Sequence, residues 1–167
     1  MRKLVLLSSI LLITLYSCKV NYSFTGASIA PDVKTISISY FPNYAALVSP
    51  ILSPLFTEDL RDIFIVQTSL KLVDNSGDLH LEGEITDYKT APIAVQSNQT
   101  AAENRLTITV KVRFINTKDT EQNFESSFSR FADYSATTNL SSVEEELIKE
   151  INDQLVQDIF NKSVSNW

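Results

Sequence analysis

The chain has 167 residues, with 20 acidic side chains against 14 basic ones for a net charge of −6, one histidine, one cysteine and three glycines. That length suits one ordinary domain with a core able to fold unaided. The acidic balance excludes a nucleic-acid binder, and three glycines are too few for a phosphate-cradling loop.

In chain order, Arg2 and Lys3 form a positive start, Leu4 to Leu15 an apolar run, and Leu15-Tyr16-Ser17-Cys18 a lipobox with a small residue before its cysteine. This reads as a bacterial lipoprotein signal, although Tyr16 is a less usual residue at its position. The apolar run falls short of the ~20 residues needed to span a bilayer. Residues 1–17 are therefore expected to be removed, with Cys18 becoming the acylated N-terminus. At about 0.8 kcal/mol per buried CH2, two or three acyl chains hold such a protein on the membrane. Loss of Arg2 and Lys3 takes the net charge from −6 to −8. With Cys18 acylated no thiol remains for a disulfide or for Cys-ligated metal.

Residues 18–31 read as a lipidated tether in which Tyr22 and Phe24 are expected to dock, and 32–167 as a single domain. From Val33, Ile36, Ile38 and Tyr40 alternate with Thr35, Ser37 and Ser39, which predicts a half-buried strand. Over Ser49 to Thr68, Leu52, Phe56, Leu60, Ile63 and Phe64 recur every three or four residues, an amphipathic helix. Ser49-Pro50 and Ser53-Pro54 both fit a capping serine followed by proline in the first helical position. Ser53 is favoured for the regular part.

Leu70 to Val73 is a short extended piece before the turn Asp74-Asn75-Ser76-Gly77. The next strand places Leu79, Leu81, Gly83 and Ile85 inward and His80, Glu82, Glu84 and Thr86 outward. Polar residues between Asp87 and Asn104 predict a long hairpin connection. Leu106, Ile108, Val110, Val112 and Phe114 then alternate with Thr107, Thr109, Lys111 and Arg113, the cleanest strand in the chain. A fourth strand from about Asn123 to Ala132 sets Phe124 and Phe128 against Phe131. Ser141 with Glu144, and Ser142 with Glu145, form two overlapping capping boxes. They open a helix striped by Val143, Leu147, Ile151, Leu155 and Ile159, widened by Ile148, Val156 and Phe160.

Elements that each bury one face are satisfied by two layers. The fold class is α+β: a four-stranded, mostly antiparallel sheet carrying two helices on one face, in the order β-α-β-β-β-α. Its other face is left polar.

Catalytic and cofactor chemistry finds little support. His80 is the only histidine and reads as exposed, so a nucleophilic site would have one base and no recognisable nucleophile turn. Glu82 and Glu84 at i, i+2 on a wet strand face suit solvation, and no Asp/Asn ladder points to calcium. The chain reads as a non-enzyme with neither cofactor nor metal. Lys111 and Arg113, two apart on the outer face, are the candidate contact residues for anionic groups. The face that carries them is either ordinary solvated surface or a docking surface for a polar wall.

The lipobox, Tyr22-Ser-Phe-Thr-Gly-Ala-Ser-Ile29, the Asp32 to Ser39 strand, Asn104-Arg-Leu-Thr-Ile-Thr-Val-Lys-Val112 and the ending Ile159-Phe-Asn-Lys-Ser-Val-Ser-Asn-Trp167 together resemble the LptE family of lipopolysaccharide-assembly lipoproteins, in the form found in Bacteroidota. The resemblance covers essentially the whole mature chain. It implies an outer-membrane lipoprotein that plugs the lumen of a large β-barrel partner, LptD, contacts lipopolysaccharide, and lies on the periplasmic side or within the barrel. No lipopolysaccharide-binding residue is carried over from relatives. The alternative is a periplasm-facing lipoprotein that binds or carries a small apolar ligand.

Overall fold

The structure, a computed structural model, describes residues 29–93 and 102–164. The signal segment, Cys18, Tyr22 and Phe24 lie outside the described residues. Five strands form one sheet: β1 (Thr35–Ile38), β2 (Lys71–Leu72), β3 (Leu79–Ile93), β4 (Glu103–Asn116) and β5 (Phe124–Ser135). Helix α1 (Leu52–Gln67) follows β1, and helix α2 (Leu140–Val164) follows β5. The sheet order is β2-β1-β3-β4-β5.

The α+β class is as the sequence predicts, with five strands in place of four. The added strand, Lys71–Leu72, is too short to show any alternation. It is fixed by tertiary pairing, with Lys71 N donating to Lys34 O and Val73 N to Ile36 O. Because α1 carries the chain back to the end where β1 began, β1 runs parallel to both β2 and β3. The pairs β3–β4 and β4–β5 are antiparallel.

β4 follows its pattern without exception: Leu106, Ile108, Val110, Val112 and Phe114 are all buried. Both helices cover that side. From α1, Leu52, Phe56, Leu60 and Phe64 are buried, and from α2, Leu147, Ile148, Ile151, Leu155, Val156, Ile159 and Phe160. Phe64 and Phe160 meet edge to face at 5.1 Å between ring centroids, joining the helices to one core.

β1 departs from its predicted alternation. Ile36 and Ile38 are inward, but Ser37 is also buried, its Oγ accepting from Gly77 N at 3.1 Å. The turn before β3 has closed over it. Gly77 must be glycine, since a Cβ there would lie 2.6 Å from both Leu79 O and Ser37 N. Tyr40 is 55 % exposed and Phe41 takes the inward place. The register explains the change. Ile38 faces Leu81 and Asn43 bridges to Ile85, so five steps on one strand oppose four on the other, and one extra residue reverses the faces. Gly83 lies across from this bulge. Its missing side chain makes room for the Phe41 ring, for a Cβ there would lie 2.6 Å from Phe41 Cε1 and 2.1 Å from Lys111 O.

A second bulge between Ile85 and Asp87 turns Tyr88 inward. The strand then continues to Ile93 where a loop was expected from Asp87. The bulge breaks the alternation, and most residues beyond Tyr88 are exposed on both faces, so no burial pattern marks them as strand.

Both predicted caps are replaced. Ile51 occupies the N-cap of α1 with no side-chain hydrogen bond, while Ser53 is buried inside the helix, its carbonyl accepting from Thr57 Oγ1. At α2 the cap is Asn139, whose Oδ1 accepts from Ser141 N. Glu144 instead accepts from the Tyr88 hydroxyl at 2.6 Å, and burial together with that carboxylate pushes the Tyr88 phenol above its ordinary range.

Candidate functional site

The sheet face away from the helices is built by register from three long strands. On β4 the outward residues are Arg105, Thr107, Thr109, Lys111 and Arg113. Arg113 lies between Glu82 of β3 and Glu125 of β5, Lys111 between Glu84 and Ser127, and Arg105 between Ala91 and Asp133.

Lys111 and Arg113 therefore stand where the sequence places them, outward and adjacent. The neighbouring strands add what one strand's spacing cannot reveal. Lys111 Nζ pairs with Glu125, and Arg113 Nη1 lies 3.1 Å from Glu82 Oε1. The hydrogen bond to Glu125 raises the Lys111 ammonium, and the same bond holds the Glu125 carboxyl below its usual range. With Glu84 beside them, the two cations sit among three carboxylates rather than forming a bare positive patch. Exposed pairs of this kind exchange partners at little cost.

Tyr40, Ser39 and Gly83 join these five charged residues around an open hollow of about 340 Å³. Farther along the face, Thr109 and Ser129 hydroxyls lie 3.0 Å apart. The Arg105 guanidinium grips Asp133 through two bonds of 2.7 and 2.8 Å while lying over the Phe131 ring. The result is an open, largely polar surface on which the charges nearly balance, three cations among four carboxylates.

His80 is half-buried, a correction to its exposed reading. Its Nδ1 is 2.8 Å from Ser37 Oγ, and its Nε2 is 3.4 Å from Glu82 Oε2. These are the residue types of a nucleophile relay, but Ser37 has no exposed surface for a substrate to reach. The Ser37–His80 contact joins β1 to β3, and Glu82 flanks the ring from within β3. Among the described residues, no group of three His, Cys, Asp or Glu side chains is placed to hold a metal ion, and no helix is long and apolar enough to cross a membrane.

The family model for lipopolysaccharide-assembly proteins, LptE, matches residues 33–163. The chain belongs to the LptE family. Solved structures similar to this LptE-family chain include lipoprotein B from Nitrosomonas europaea, at 16 % identity over 86 % of this chain and 88 % of that one, with a TM-score of 0.50. A neuraminyllactose-binding haemagglutinin homologue from Helicobacter pylori is similar at 9 % identity, covering 85 % and 89 % of the two chains, with a TM-score of 0.53. A hypothetical protein from Chlamydia trachomatis matches at 10 % identity, covering 80 % and 99 %, with a TM-score of 0.50. At these identities the likeness carries the fold alone. No curated protein matches the chain.

Sequence reasoning missed Tyr40, Glu82, Glu84 and Glu125 as members of one cluster with Lys111 and Arg113. Glu82 and Glu84 were readable as outward, but cross-strand pairing brings Glu125 in and a bulge turns Tyr40 outward.

Proposed function

We propose that this LptE-family chain is a non-enzymatic lipoprotein of the outer membrane, held by acylated Cys18, that sits in the lumen of an LptD-type β-barrel and serves lipopolysaccharide transport to the cell surface. Residues 1–17 are the signal peptide in this reading, 18–31 the tether and 32–167 the plug. The observation that carries it, beside family membership, is the outer sheet face: long, largely polar and nearly balanced in charge. Barrel lumens are polar, and a plug needs such a surface. Lys111 and Arg113 meet acidic groups of the barrel wall or lipid A phosphates by exchanging their Glu125 and Glu82 partners. A carrier of small apolar ligands has less support, because the described helix and sheet residues bury their apolar side chains against each other in one core.

Co-purification tests the reading. The tagged chain should bring down a barrel of much greater mass, and the combination Lys111→Gln with Arg113→Gln should reduce that barrel or lipopolysaccharide binding several-fold with little change in melting temperature. Neutralisation is cleaner than charge reversal, which would gather five carboxylates. Recovery of the chain without a barrel would refute the plug, and wild-type binding by the double variant would refute the contact role.

A further inference from the structure

β5 is the edge strand beside β4. Which of its backbone groups face outward follows from the ladder. Ser39 N donates to Leu81 O, and Ile85 N donates to Pro42 O, so odd-numbered residues of β3 before its bulge point their main-chain groups toward β1. Glu82 and Glu84 therefore point theirs toward β4. Opposite residues of antiparallel strands exchange both hydrogen bonds or neither, which makes Glu82 with Arg113, and Glu84 with Lys111, bonded pairs. On β4 the alternate residues Val110, Val112 and Phe114 turn to β5, where they face Phe128, Ser126 and Phe124.

The β4–β5 register runs unbroken from Phe114 opposite Phe124 to Glu103 opposite Ser135. Glu125, Ser127, Ser129, Phe131 and Asp133 thus direct their N–H and C=O groups out of the sheet edge. All five residues are exposed, and none of these backbone groups has a protein partner among the described residues. Proline, lysine and bulges, which blunt many edges, are absent from β5, and its three charges, Glu125, Arg130 and Asp133, are each held in an ion pair with Lys111, Asp158 or Arg105. The hydrogen bonds from α2 go to the other set of β5 residues, Asp158 accepting from Arg130 and Lys162 donating to Ser126. They leave the edge open.

We propose that the free edge of β5 is a strand-addition site, occupied by an extended segment of another protein that joins the sheet as a sixth strand. Main-chain bonds supply the affinity in this mode and side-chain alternation the specificity. On the helix side the incoming strand meets half-buried Phe124 and Phe128, which call for apolar residues. On the outer side it meets Ser127 and Ser129, the ion-paired carboxylates Glu125 and Asp133, and the exposed Phe131 ring, which call for polar residues with one apolar position opposite Phe131. A second copy fits poorly. Antiparallel self-pairing that uses all five outward residues centres on Ser129 and sets Glu125 opposite Asp133 twice, with like charges facing. A closed barrel wall has no free edge to offer, so the strand comes from an open-edged region or a single extended segment.

The test places a photo-crosslinking amino acid at Ser127 or at Phe131 of the full chain in living cells, with and without Ser129→Pro. Proline at 129 removes an outward N–H and one exposed hydroxyl contact to Thr109 but no main-chain bond to β4, and should fold, as edge positions allow, whereas Phe128→Pro breaks a bond to β4 and should not. The expected result is one partner sequence linked from both sites at positions about four residues apart, as strand pairing requires, with the yield falling at least ten-fold in Ser129→Pro. Should Ser129→Pro lower the melting temperature, hydrogen exchange decides: the amides of Ser127, Ser129 and Phe131 should exchange as exposed amides in the isolated chain and at least ten-fold more slowly in the membrane complex. Links to a second copy or to this chain's own N-terminal residues, partner positions out of strand register, or unchanged yield and exchange would overturn the proposal.

Discussion

Ile151 lies at the middle of the α2 stripe and is fully buried. Truncation to alanine removes three carbons, a transfer loss of about 2.4 kcal/mol at ~0.8 per CH2. The residual cavity raises this to about 3–4 kcal/mol, within the usual range for large-to-small changes in cores. For a domain of about 130 residues, unfolding entropy near 2.1 cal/mol/K per residue converts that into a melting decrease of roughly 10–15 °C. Ile151→Asp is harsher, since an unpaired buried charge costs several kcal/mol against a total of about 5–15; it should leave the chain unfolded. Glu146 and Lys149 are exposed on the same helix, and alanine at either should cost less than about 0.5 kcal/mol, about 2 °C. Thermal melts followed by circular dichroism of the mature chain in detergent measure all four. Equal losses at Ile151 and Lys149 would show that the wrong face of α2 has been assigned to the core.

Gly83→Ala should destabilise by at least about 2 kcal/mol, because its new Cβ would meet backbone at Lys111 O as well as the Phe41 ring; a melting temperature equal to wild type would refute the close approach. Asp78 accepts from Lys34 N, Thr35 N and Thr35 Oγ1 and pairs with Lys118, contacts that hold its carboxyl well below the usual range. A folded-state value lowered in this way stabilises the fold above the unfolded value near ~3.9 and loses that contribution as pH falls through the folded one. The melting difference between wild type and Asp78→Asn should therefore be largest at neutral pH and shrink below about pH 4, and a difference that grows on acidification would contradict the assignment. Cys18→Ala should abolish incorporation of radioactive palmitate, and label retained by that variant would rule out the proposed anchor.

Where one residue's neighbours in sequence are also its neighbours in burial, the pattern was legible. β4 shows this best: five β-branched or large apolar residues at every second position can lie only one way on a half-buried sheet. The α2 stripe is equally plain over most of its length, although Asn152 interrupts it. That side chain is fully buried and donates to Asp59 Oδ2 at 3.0 Å, while burial raises the Asp59 carboxyl. Nothing in α2 alone signals that a carboxylate from α1 stands opposite.

What the amino-acid order determined by itself is the class of each long element and the side it buries, because helix and strand periods are local properties of the chain. It also placed Lys111 and Arg113 together on the wet face. Tertiary structure decided the rest. Lys71–Leu72 becomes a strand only because β1 offers it an edge, and Tyr40 faces outward only because one extra residue opposite β3 reverses the alternation. Glu125 reaches Lys111 through the β4–β5 register, which no spacing within either strand specifies. The free edge of β5 is likewise a fact of strand order: its sequence is that of a half-buried strand, and only its place in the sheet leaves one side without a partner among the described residues.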